Sequence, residues 1–168
     1  IRDSECPVGQ EARLEQGIAV CKVCEEGKTR PDIAVSMCQR CAAGLHWYTS
    51  DSPCKNCEAG RYQDNPGQTR CIKCGAGKFR NEVAPASEPE TSACVNCPSG
   101  QYQGEKGKSS CDKCPAGRKG KDLVDGSTQG LLVDSETACE DCTPGRYQDE
   151  EGAASCKNEG CVDSMCWF

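Results

Sequence analysis

The residues of this chain that could do chemistry are its cysteines, eighteen of them in 168 residues. Fourteen fall in Cys-x-x-Cys pairs: Cys21/Cys24, Cys38/Cys41, Cys54/Cys57, Cys71/Cys74, Cys94/Cys97, Cys111/Cys114 and Cys139/Cys142. Thiols spaced in this way serve three kinds of chemistry. Two such pairs separated by about 12–20 residues are a four-thiolate zinc signature. The chain divides into four tetrads of that kind: Cys21, Cys24, Cys38 and Cys41; Cys54, Cys57, Cys71 and Cys74; Cys94, Cys97, Cys111 and Cys114; and Cys139, Cys142, Cys156 and Cys161. That phasing strands Cys6 and Cys166 and leaves long loops inside compact metal sites. A redox-active pair instead needs one low-pKa thiol at a helix start in a βαβ unit, and no such pattern surrounds any of the seven pairs. The third chemistry is disulfide formation, which persists in oxidising compartments.

No other residues assemble a catalytic group. The single histidine, His46 in Leu45-His46-Trp47-Tyr48, limits acid–base and triad schemes to one imidazole. Asp149-Glu150-Glu151 reads as a solvated turn, without the spaced ligand loop that calcium requires. Arg118-Lys119-Gly120-Lys121 offers an anionic polymer a short cationic patch in a chain of net charge −6. The expectation is a non-enzyme with no cofactor, no metal and no small-molecule substrate.

The elements that hold these cysteines cannot rest on a conventional core. Leu, Ile, Val and Phe number twenty, about 12% of the chain, below the roughly 20% under which apolar burial fails to support a fold. Ordering each residue costs about 1–2 kcal/mol of backbone entropy. A disulfide closing a loop of about 15 residues returns roughly 3 kcal/mol, so covalent staples must take the place of the missing interior. The chain begins with Ile1 and no charged-then-apolar leader precedes it, as expected of a mature or trimmed segment. No apolar run approaches the roughly 20 residues of a membrane span. No Asn-x-Ser/Thr acceptor occurs, and the negative charge disfavours nucleic acid and anionic membranes as partners.

The cysteine pairs belong to an internal repeat. The second Cys of each pair is followed, after two residues, by glycine: Gly27, Gly44, Gly60, Gly77, Gly100, Gly117 and Gly145, with Cys6-Pro7-Val8-Gly9 a truncated copy. Thirteen residues always separate Cys24 from Cys38, Cys57 from Cys71, Cys97 from Cys111 and Cys142 from Cys156, whereas the alternate loops vary in length. Three constant loops share Gly-x-Tyr-Gln, at Gly60–Gln63, Gly100–Gln103 and Gly145–Gln148. Their Tyr62, Tyr102 and Tyr147 are expected to pack on neighbouring disulfides as local miniature cores. Without sustained helical periodicity, short ribbons with glycine turns are expected. Leu123-Val124-Asp125-Gly126 and Gly130-Leu131-Leu132-Val133 read as a hairpin. They also form the most apolar patch for a partner, while 84–90 is a polar insertion.

Cys94-Val95-Asn96-Cys97-Pro98-Ser99-Gly100-Gln101-Tyr102 and Cys111-Asp112-Lys113-Cys114-Pro115-Ala116-Gly117 resemble the ephrin-receptor-like cysteine-rich repeat, itself similar to tumour-necrosis-factor-receptor modules. The text Gly145–Gly152 is similar to arrays in surface and secreted proteins of algae and other protists. The resemblance implies a small disulfide-rich fold: an elongated tandem array of cysteine-rich loops with short β-ribbons, little helix and no conventional hydrophobic core. Under it, adjacent-loop pairing uses every cysteine: Cys6–Cys21, Cys24–Cys38, Cys41–Cys54, Cys57–Cys71, Cys74–Cys94, Cys97–Cys111, Cys114–Cys139, Cys142–Cys156 and Cys161–Cys166. A crossed scheme, first with third and second with fourth in each tetrad, stays open. The last unit departs from the pattern with four residues between Cys156 and Cys161, and Trp167 and Phe168 follow as a terminal cap or docking point.

Four units are expected, at 1–53, 54–93, 94–138 and 139–168, each touching chiefly its neighbours. The function implied is an extracellular, cell-surface or lumenal scaffold that binds other proteins, bridging or decorating a larger assembly. The alternative is a receptor ectodomain or soluble decoy for a protein ligand. The candidate partner-binding residues are Leu123, Val124, Leu131, Leu132, Trp167 and Phe168.

Overall fold

The two residues between the cysteines of a pair are short strands. In the computed structural model, which describes residues 2, 5–82, 87–121 and 138–158, eight two-stranded antiparallel ribbons follow one another along the chain. The first is the longest, β1 (Gln10–Glu15) with β2 (Ile18–Val23). Then come β3 (Lys28–Thr29) with β4 (Gln39–Arg40), β5 (Leu45–His46) with β6 (Lys55–Asn56), and β7 (Arg61–Tyr62) with β8 (Ile72–Lys73). They are followed by β9 (Lys78–Phe79) with β10 (Val95–Asn96), β11 (Gln101–Tyr102) with β12 (Asp112–Lys113), β13 (Arg118–Gly120) with β14 (Cys139–Asp141), and β15 (Arg146–Tyr147) with β16 (Lys157–Asn158). The helix among the described residues is one turn, α1 (Glu90–Ala93).

From the second ribbon to the seventh, one strand follows the repeat glycine and its partner lies within a Cys-x-x-Cys; in the eighth the partner strand follows Cys156. The glycine carbonyl accepts the N–H of the second Cys, as in Cys41 to Gly27 (3.0 Å), Cys74 to Gly60 (2.9 Å) and Cys114 to Gly100 (2.8 Å). A left-handed backbone at the glycine, such as φ +84° at Gly27 and +79° at Gly60, turns the chain into the ribbon. Beside each ribbon lies a disulfide. The eight are Cys6–Cys21, Cys24–Cys38, Cys41–Cys54, Cys57–Cys71, Cys74–Cys94, Cys97–Cys111, Cys114–Cys139 and Cys142–Cys156, the adjacent-loop arrangement. Cys161 and Cys166 lie outside the described residues.

Residues 1–74 with 80–94 form one compact unit, and residues 75–79 with 95–168 a second. Within each, burial centres on sulfur: Cys6, Cys41, Cys57, Cys74, Cys114 and Cys139 are wholly enclosed. In the first unit Tyr62 packs on Cys74, Cys94 and Ala93, and in the second Tyr102 packs against Cys114, Ala138 and Cys139. Each ring thus covers the disulfide of the following loop. Tyr147 remains 44% exposed.

Loops also meet beyond their immediate neighbours. In the first unit a Cβ on Gly27 would overlap the carbonyl oxygen of Gly67, and in the second a Cβ on Gly100 would overlap that of Gly152. Each of these contacts joins one constant loop to the next, across the variable loop between them.

Candidate interaction surfaces

The repeat is held by a side chain that apolar patterning does not reveal. Three residues after the repeat glycine stands Gln63, Gln103 or Gln148, or in other loops Arg30 or Arg80, and all five are buried. Gln63 donates from Nε2 to the Arg70 carbonyl (2.8 Å) and accepts the Asn65 N–H at Oε1 (3.0 Å). Gln103 repeats this with Ser110 and Glu105, and Gln148 with Ser155 and Glu150. Each amide clamps its thirteen-residue loop from within. The main-chain carbonyls of the same residues accept an N–H from the preceding loop: Gly44 to Gln63 (2.6 Å), Gly60 to Arg80 (2.7 Å), Gly77 to Gln103 (2.7 Å) and Gly117 to Gln148 (2.7 Å).

Arg30, 0% exposed, does the same work with a guanidinium. It donates to the carbonyls of Cys6 (3.0 Å), Pro7 (3.1 Å), Gln10 (2.7 Å), Ile33 (3.1 Å) and Val35 (2.6 Å). Carbonyl dipoles surround a buried charge that would otherwise be costly. Because the interior is spent on sulfur and hydrogen bonds, large apolar side chains point outward.

The β1–β2 hairpin shows this most clearly. Its two-residue turn has φ +51° at Gln16 and +82° at Gly17, the positive pair that a tight hairpin requires. Leu14 and Ile18 flank the turn at 77% and 68% exposure, with Val23 also exposed further along. Below the tip the hairpin is anchored by Cys6–Cys21 and by the Cys38 N–H donated to Glu11 Oε2 (2.8 Å). The hairpin expected at 123–133 lies outside the described residues, as do all six candidate contact residues: Leu123, Val124, Leu131, Leu132, Trp167 and Phe168.

A second surface surrounds the Cys57–Cys71 disulfide. A cavity of about 190 Å³ there is lined by His46, Glu58, Arg61, Thr69, Arg70 and Cys71. His46 Nδ1 lies 3.5 Å from Cys71 Sγ. His46, Cys57 and Cys71 place their donor atoms within 4.8 Å of one another, but both sulfurs are bonded to each other. The imidazole therefore has no thiol to activate, and no thiolate is available to a metal. The same holds throughout the proposed zinc tetrads wherever their cysteines are described.

The short cationic patch at Arg118 and Lys119 is internally neutralised, by Asp141 (3.0 Å) and Glu140 (2.9 Å). The Lys157 ammonium holds the Asp149 carboxyl below its usual range, and burial pushes the Tyr62 hydroxyl up.

With eight staples, two-residue ribbons and glycine-started loops established, residues 47–90 and 85–129 each match the family model described as tyrosine-protein kinase ephrin type A/B receptor-like. The chain carries ephrin-receptor-like repeats. This repeat is a non-catalytic module type. No curated protein matches the chain. Among the described residues no helix is long and apolar enough to cross a membrane. The density of disulfides fits an extracellular or otherwise oxidising compartment.

Proposed function

We propose that this ephrin-receptor-like repeat chain is a non-catalytic scaffold that binds other proteins in an extracellular or lumenal assembly, with the tip of the β1–β2 hairpin as one docking point. The observation that carries the reading is the inversion of ordinary burial: cysteine, glutamine and arginine lie inside, while Leu14 and Ile18 stand 77% and 68% exposed on an anchored hairpin. Leu14, opposite Ala19, and Ile18, opposite Glu15, stand on the two faces of the ribbon, so the tip offers an apolar group on each side to a partner that grips it. A hairpin backbone already held in place loses little further entropy on binding.

Photo-crosslinking residues installed at positions 14 and 18, with position 106 of the second unit as a control, test this in material assembled at its source. The expected result is one protein, in fixed ratio to the chain, joined from the hairpin positions and not from the control. Equal yields at all three positions, or none at the hairpin, would refute it. The receptor-like description of the matching family favours a second reading, a ligand-binding ectodomain. A coding sequence that continues beyond residue 168 into a membrane span would select that reading.

A further inference from the structure

A two-residue ribbon sets side chains directly opposite one another, and the choice of pairs is informative. In β13–β14, Arg118 faces Asp141 and Lys119 faces Glu140. In β7–β8, Arg61 faces Lys73, a like-charge pair of the kind that weakens a ribbon. Lys28 also faces Arg40 in β3–β4, but Glu25 neutralises Lys28 at 2.6 Å. Arg61, Arg70 and Lys73 make no ion pair among the described residues. Arg61 and Arg70 both line the cavity beside Cys57–Cys71, with the imidazole of His46 and the hydroxyl of Thr69. Glu58 is the carboxylate on its wall, and it forms no ion pair with either arginine.

The neighbouring ribbon extends the surface. Lys55 lies across β5–β6 from His46 and so shares its face. Its ammonium sits 3.4 Å from the centroid of the Tyr48 ring, which is 57% exposed.

We infer that this surface binds an anionic polysaccharide, with a sulfate or carboxylate substituent entering the cavity between Arg61 and Arg70. At about 190 Å³ the cavity is smaller than the roughly 300–1,000 Å³ of small-molecule sites. It therefore suits one protruding group of a larger ligand. Guanidinium forks match the planar or tetrahedral oxygens of such a group. Lys55 and Lys73 extend the positive charge beyond the cavity, as a polymer with repeated anions requires. The exposed Tyr48 ring offers the apolar C–H face of a sugar a place to rest, which an acidic peptide does not need. Charges are felt over only about 8 Å at physiological ionic strength, so this local patch outweighs the net charge of −6. The site is independent of the hairpin and of any protein bound there.

The test uses the full disulfide-bonded chain with fluorescent dextran sulfate, polygalacturonate, neutral dextran and poly-glutamate, followed by anisotropy at low and high salt. Saturable, salt-sensitive binding is expected to dextran sulfate, polygalacturonate or both, and the preferred polymer identifies sulfate or carboxylate as the substituent. Neutral dextran should not bind, and poly-glutamate should bind more weakly. Arg61→Gln with Arg70→Gln should lower affinity by about tenfold or more, whereas Arg118→Gln with Lys119→Gln should not. Disulfide mapping verifies that each variant is folded. If the arginine variant misfolds, Tyr48→Ser with Lys55→Gln, on the adjoining ribbon, must weaken binding instead. Equal losses in the Arg118/Lys119 control, poly-glutamate binding as tight as either acidic polysaccharide, or no saturable binding would each overturn the inference.

Discussion

Replacing Gln63 by methionine tests the internal clamp, because it keeps the approximate shape of the side chain and removes both of its hydrogen bonds. Gln63 is 3% exposed and bonds the Arg70 carbonyl at 2.8 Å and the Asn65 N–H at 3.0 Å. Leaving a buried donor or acceptor unmatched costs about 1–3 kcal/mol per group. Two groups therefore imply about 2–6 kcal/mol of local destabilisation, equivalent to an opening equilibrium shifted roughly 30- to 20,000-fold. The Cys57–Cys71 bond still closes the loop, so the damage should stay local and not unfold the chain. Hydrogen exchange read on peptides covering residues 64–70, after quench and reduction, should show Asn65 losing its protection by that factor. The matching peptide around Glu105, clamped by Gln103, should be unchanged. Unaltered exchange at Asn65, or equal acceleration in both loops, would refute the assignment of Gln63 as an autonomous clamp.

Arg30→Lys should destabilise the amino-terminal loops by about 3–5 kcal/mol, because a single ammonium cannot replace a buried, multiply bonded guanidinium; the readout is faster exchange around Gln10 and Val35. Gly27→Ala should scramble disulfides on refolding, since its Cβ would overlap the Gly67 carbonyl, whereas Gly117→Asn, with nothing near its Cβ, should refold with the native disulfide map. The lowered Asp149 value means its contribution is present above the unfolded carboxylate pKa and is lost as pH falls through the folded one. Lys157→Met should therefore move the Asp149 carboxyl titration, followed by NMR, upward toward the ordinary range. Intact mass should rise on reduction by two hydrogens for each of the eight described bonds and by two more for the expected Cys161–Cys166 pair, with no metal released into a chelator dye.

The fold class was legible because cysteine, unlike an apolar stripe, states its own spacing. Iterated Cys-x-x-Cys with glycine at a constant offset leaves room for little besides stapled loops and ribbons. The clamp was harder to read. Gln63, Gln103 and Gln148 stand in plain sight within Gly-x-Tyr-Gln, but an amide is most often a surface residue, and the adjacent tyrosine has the larger apolar area. Only the enclosed position of the amide reveals which neighbour does the holding. The substitution of Arg30 and Arg80 at the same offset hides the role further, since no similarity scale groups the two residues.

The β1–β2 hairpin escaped for a related reason. Gln16-Gly17 is not among the dipeptides that announce a tight turn, and Cys21 interrupts the alternation of the returning strand. Period-two alternation from Glu11 to Glu15 was the signal that would have found it. The like-charge pair Arg61 and Lys73 could not be seen without register, which places residues twelve positions apart face to face.

Loop closure in this chain is indifferent to loop length. Cys41 and Cys54, thirteen positions apart, hold their Cα atoms at 5.6 Å, and Cys114 and Cys139, twenty-five apart, hold theirs at 5.7 Å. Doubling a flexible segment adds only about 0.6 kcal/mol of closure entropy. A foreign peptide spliced between Glu82 and Ser87 would thus be displayed with both ends tethered by Cys74–Cys94, leaving Arg80 and Ala93 in place.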